Sequence, residues 1–126
     1  MSQHSDVELR LPADSAYVSV IRLTTAGIAA RLDFTLDDIE DLRIAVGEAC
    51  ALVLEDAWPD ATLECAFDLG QDQMVVRVTA EVTTPSPPDP DSLAWQVLDT
   101  LANGASASVA GGRLTISLTM KSSVLA

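Results

Sequence analysis

The stretch Thr35-Leu36-Asp37-Asp38-Ile39-Glu40-Asp41-Leu42-Arg43-Ile44-Ala45-Val46-Gly47-Glu48-Ala49-Cys50-Ala51-Leu52-Val53 decides the fold. Leu36, Ile39, Leu42, Val46, Ala49 and Val53 recur with the 3.6-residue period and form one apolar stripe, so the segment reads as an amphipathic helix. Thr35 and Asp38 have capping-box spacing, and Asp37 and Asp38 suit the positive end of the helix dipole. The helix is expected to reach about Ala57, because Trp58-Pro59-Asp60 stops it: the residue before a proline is pushed out of the helical region. Ile44, Glu48, Leu52 and Asp56 share a stripe spaced by four. Among its apolar neighbours Glu48 reads either as a desolvated carboxylate suited to general-base work or as a boundary residue bonded to a nearby backbone or basic group. Spacing alone favours the second.

Upstream, Val7 to Leu11 alternates apolar and polar residues and meets Pro12, which predicts a short edge strand after a polar tail at 1–6. From Asp14 or Ser15, both acceptable caps, Tyr17, Val20, Ile21, Thr24, Ile28 and Leu32 predict the core-facing stripe of a first helix. Gly27 inside it costs about 1 kcal/mol relative to alanine and suggests close packing. Downstream the period changes to two. Leu63, Cys65, Phe67 and Leu69, a turn at Gly70-Gln71-Asp72-Gln73, then Met74, Val76, Val78, Ala80 and Val82 predict a hairpin. Four prolines between Pro85 and Pro90 predict an extended linker over 83–91. Asp91 or Ser92 caps a third helix to about Leu101, and Ala107 and Val109 pair with Leu114, Ile116, Leu118 and Met120 around Gly111-Gly112. The expected fold is an α/β (α+β) two-layer sandwich in a single domain over 1–126, with a mostly antiparallel sheet of about five strands and three helices on one face.

A net charge of −12 repels phosphate backbones and argues against direct nucleic-acid binding. No apolar run is long enough for a membrane span and no signal-peptide pattern opens the chain, so a cytoplasmic location is expected. Cys50 and Cys65 form no Cys-x-x-Cys pair and read as buried free thiols. His4 is the sole histidine, which leaves no histidine-based metal cluster or nucleophile–histidine pair within one chain, and no metal is expected.

The runs Tyr17-Val18-Ser19-Val20-Ile21-Arg22-Leu23 and Leu36 to Cys50 closely resemble the RsbW and SpoIIAB anti-sigma factors, and the match continues in element order to Lys121. The resemblance implies a Bergerat-type ATP-binding fold, shared with histidine kinases and gyrase. It implies a protein-serine kinase that sequesters a sigma factor and phosphorylates an anti-anti-sigma protein of the STAS type. Glu48 matches the family's catalytic base. The magnesium-binding asparagine one turn later falls on Leu52, which has no oxygen to offer. The adenine-binding Asp-x-Gly aligns with Ala80-Glu81-Val82, and the phosphate-contacting glycines align with Asp91-Ser92-Leu93-Ala94-Trp95, where negative charge and side chains oppose a phosphate. The proline-rich linker takes the place of the ATP lid.

Arg22 matches an arginine that contacts both partners in the family, with Val18 one turn earlier on the same face; without the resemblance both read as ordinary solvated or packed residues. The expectation is an anti-sigma factor for a stress or developmental sigma factor, with Glu48 vestigial and no cofactor. It also includes a homodimer through the Val7–Leu11 edge. Alternatives are an active kinase using Mg-ATP with Glu48 as base, and a noncatalytic adaptor that does not act on sigma.

Overall fold

A computed structural model describes residues 5–123. Five strands, β1 (Val7–Pro12), β2 (Thr62–Leu69), β3 (Gln73–Glu81), β4 (Gly104–Ala110) and β5 (Arg113–Lys121), form one antiparallel sheet in the order β1-β2-β3-β5-β4. The helices are α1 (Val18–Arg31), entered through a 3-10 turn at Ser15–Tyr17, α2 (Leu36–Glu55) and α3 (Leu93–Leu101). Both α1 and α3 pack on α2. Strict alternation puts Leu63, Cys65, Phe67, Met74, Val76, Val78, Ala80, Leu114, Ile116, Leu118 and Met120 on the helix side, where all are buried against Leu42, Val46, Ala49 and Val53 of α2. Of the expected polar tail, residues 1–4, including His4, lie outside the described residues; Asp6 accepts a hydrogen bond from Leu69 N at 2.8 Å.

The second helix forms where its pattern predicts, with differences at its first residue and at its end. Its capping box forms, with Thr35 Oγ1 accepting from Asp38 N and Asp38 Oδ2 accepting from Thr35 N. Leu36, assigned to the apolar stripe, is 85% exposed because it precedes the turns that meet the sheet. The helix ends at Glu55, two residues before the expected Ala57. Asp38 has a role with no local signature: its Oδ2 also accepts from Ser123 N and Ser123 Oγ, both at 2.9 Å, tying the exit from β5 to the start of α2. Burial acts to raise the Asp38 carboxyl, but the hydrogen bonds from Ser123 and Thr35 outweigh it and hold it below its ordinary 3.8. A depressed carboxylate stabilises the fold fully above its unfolded value, and that contribution is lost as pH falls through the folded value. Asp38→Ala is expected to cost about 1 kcal/mol near neutral pH, the usual cost of losing a cap. The gap from wild type should narrow below pH 3.8 in thermal melts run at successive pH values.

The first helix needs a correction. Its buried residues are Ile21, Thr25 and Ala29, whereas Tyr17 and Val20, expected in the core, are exposed. Apolar residues surround this helix, so periodicity does not fix which side turns inward. Gly27 is not closely packed either: a Cβ built there would meet nothing within 4 Å.

Candidate functional site

Clefts among the described residues include three of about 960, 500 and 150 Å³. The largest lies at one end of the uncovered sheet face between Arg10, Trp58 and Arg113, and the smallest lies on the same face around Ala66 and Arg77. The 500 Å³ cleft is a groove between the first turn of α1 and the last turns of α2, lined by Ser15, Val18, Gly47, Ala51, Leu54 and Glu55.

Arg22, one turn along α1 from Val18, extends this groove. Its stem crosses Gly47: a methyl group built on that glycine would lie 3.6 Å from Arg22 Cδ and 3.7 Å from Nε. Nε is buried with no hydrogen-bond partner, and among the described residues Arg22 makes no ion pair. A buried guanidinium donor left unpaired costs free energy that a carboxylate or carbonyl brought to the groove would recover. On the α1 side no acidic residue lies between Ser15 and Leu32, and Glu55 of α2 is the one carboxylate among the residues lining the groove. Beside the groove, Ala16, Val20, Leu23 and Gly27 are all exposed at the 4-3-4 spacing of a helix-packing seam, Leu23 by 67%. The structure therefore brings Arg22 and Val18 together. Gly47 belongs to the groove as well, and its cost inside a helix is the signal for it in the sequence. Since 3.6 Å is ordinary contact, Gly47→Ala is expected to raise stability by up to about 1 kcal/mol in urea denaturation.

On the opposite flank of α2, Glu48 and Leu52 lie about 100° and 140° around the helix axis from Gly47, the side left for α3. Glu48 is half-buried, and among the described residues its carboxylate has no hydrogen-bond or ion-pair partner. Leu52 packs against the core. Ala80 is fully buried on the helix side opposite Leu114, and Val82, 3% exposed, bridges to Ala57. Glu81 faces the other way, into the 960 Å³ cleft. Ser92, rather than Asp91, caps α3 by accepting from Trp95 N at 3.2 Å. Asp91 is exposed, and Ala94 and Trp95 are half-buried, with Trp95 packed on the core. None of the three clefts is lined by Glu48, Leu52, Ala80, Val82, Ser92 or Ala94. No group of three or more metal-ligating side chains occurs among the described residues.

Residues 11–113 match the family described as histidine kinase-like ATPase domain. The chain belongs to that family. Within it, this histidine kinase-like ATPase domain is 46% identical over 78 residues to the serine-protein kinase RsbW of Halalkalibacterium halodurans, covering 61% of the chain and 48% of the relative. To RsbW of Bacillus cereus it is 40% identical over 80 residues, covering 62% and 50%. It spans about half the length of these curated relatives. Its fold matches a crystal structure of the RsbU and RsbW domains of a Mycobacterium tuberculosis protein, with a TM-score of 0.69 at 19% identity, covering 95% of this chain and 34% of that one. It also matches the catalytic domain of the histidine kinase ThkA, with a TM-score of 0.58 at 7% identity, covering 92% and 97%. Five antiparallel strands under three helices are thus the histidine-kinase-like ATPase architecture. No helix among the described residues is long and apolar enough to cross a membrane.

Proposed function

We propose that this domain is an RsbW-type anti-sigma factor that sequesters an alternative sigma factor of a stress or developmental response, is countered by a STAS-type antagonist, and acts without effective ATP binding. The observation that carries the reading is the unpaired Arg22 stretched across Gly47 at the head of an apolar groove lined by Val18. A partner with a carboxylate beside an apolar side chain would satisfy both halves of that site.

On the other flank of α2 the residues present do not fit Mg-ATP. Leu52 supplies no ligand oxygen, Ala80 no acceptor for the adenine amino group, and Asp91 stands where phosphates would approach. The segment 83–91 then serves as a connection in place of a nucleotide lid. The kinase alternative draws on one observation, the half-buried Glu48, which has no hydrogen-bond or ion-pair partner among the described residues. On the sequestration reading, the tagged protein co-purifies with a sigma factor from its native cell, and Arg22→Ala loses it. Recovery of an antagonist phosphorylated in Mg-ATP would instead assign Glu48 as the base. Absence of any sigma factor from both preparations would remove the sequestration reading and leave the adaptor reading in its place.

A further inference from the structure

The 960 Å³ cleft lies on the side of the sheet away from the helices and from the groove at Arg22. Trp58 lines it with 52% of its surface exposed, and the indole N–H has no hydrogen-bond partner among the described residues. A large aromatic side chain left in water is unusual unless something covers it. The backbone beneath the ring is fixed before any ligand arrives. Trp58 N donates to Glu81 O at 3.1 Å, Trp58 O accepts from Ala61 N at 3.0 Å, and Pro59 locks the next φ.

The charges lining the cleft are unevenly paired. Arg10 and Arg113 both turn to Glu64, Arg10 Nε at 3.6 Å from Oε1 and Arg113 Nη2 hydrogen-bonded to Oε2, although the register sets Arg113 opposite Glu81. Asp60 and Glu81 stay exposed with no hydrogen-bond or ion-pair partner among the described residues. What remains open is an aromatic face beside two negative charges. That pairing selects a cation, and best of all a planar guanidinium, which stacks on the ring while it donates to carboxylates. The shape favours a chain over a compact molecule: the 150 Å³ cleft shares Arg10 and Glu64 with the larger one, so the depression continues along the sheet face toward Arg77. We propose that this cleft receives an extended segment of a second protein, with one arginine side chain stacked on Trp58 and hydrogen-bonded to Glu81 and Asp60. The site does not depend on the sigma-binding reading, and the sheet separates it from the Arg22 groove.

The test titrates the whole chain into a fluorescein-labelled Gly-Arg-Gly-Arg-Gly peptide at about 0.15 M salt, where loose surface attraction is screened, and follows anisotropy. Saturable binding is expected, with the matching lysine peptide at least threefold weaker. Trp58→Ala leaves the net charge untouched and should raise the Kd at least tenfold. Glu81→Gln should raise it at least fivefold, while Asp99→Asn, the same change of charge on an exposed residue of α3, should leave it within twofold. Circular dichroism checks the fold of each variant, and Glu81→Gln, at an exposed and unpaired residue, carries the test if Trp58→Ala is unstable. Absence of saturable binding would overturn the proposal, as would a folded Trp58→Ala that binds like wild type. So would equal losses in Glu81→Gln and Asp99→Asn, which would reduce the effect to overall charge. Arginine amide competing as tightly as the peptide would give the cleft to a small molecule instead, and self-association abolished by Trp58→Ala would give it to a second copy.

Discussion

Replacing Arg22 with glutamate is expected to weaken binding of the proposed partner about 100-fold or more, which corresponds to about 3 kcal/mol. Two effects add. The guanidinium is withdrawn from a groove where its Nε has no partner among the described residues, and a negative charge is set against the acidic group proposed to enter it. Arg22→Lys should recover only part of the loss, because an ammonium keeps the charge but not the planar fork. The fold should not change, since Arg22 is half-exposed and its stem makes only ordinary contact at Gly47. Calorimetric titration of the purified partner, with thermal melts of each variant, separates these effects. Near-wild-type affinity for Arg22→Glu would move the interface off this groove.

Phe67→Ala should cost about 3–5 kcal/mol, a large share of the roughly 5–15 kcal/mol that holds a domain together. Phe67 is fully buried near the middle of β2, opposite Val7 on one side and Val76 on the other. Its loss opens a cavity in the close-packed face that seats the helices. The urea midpoint should fall while the slope stays constant. A loss below about 1 kcal/mol would mean that the helix side of the sheet collapses around the gap, contrary to the packing described.

What the sequence discloses depends on how local the cause is. The second helix is legible because its stripe, its capping box and the Trp58-Pro59 stop all lie within one short stretch. The strands are legible because one face is buried, so alternation marks every inward residue from Leu63 to Met120. The inward side of the first helix is not legible. Ile21 and Ile28 lie toward the core but Val20 and Leu23 lie outside it, and no polar face distinguishes them. Non-local contacts are equally hidden: nothing near Asp38 in sequence announces that Ser123 will bond to it. The groove between α1 and α2 falls between these cases. Arg22 and Val18 can be named from helix spacing and family resemblance, but the groove exists only because α1 crosses α2 at Gly47. The positions that the resemblance aligns with the family's nucleotide contacts are legible as residue identities, and the structure adds where each side chain lies.

The most direct measurement is the affinity of the purified domain for the sigma factor proposed as its partner, in the absence of nucleotide, with EDTA present, repeated in excess Mg-ATP. If Arg22 and its groove recognise the partner while the Leu52 and Ala80 flank holds no nucleotide, binding is tight in EDTA and unchanged by Mg-ATP. Binding that appears only with Mg-ATP, or is strengthened at least tenfold by it, would contradict this and return the function to the side of α2 that carries Glu48.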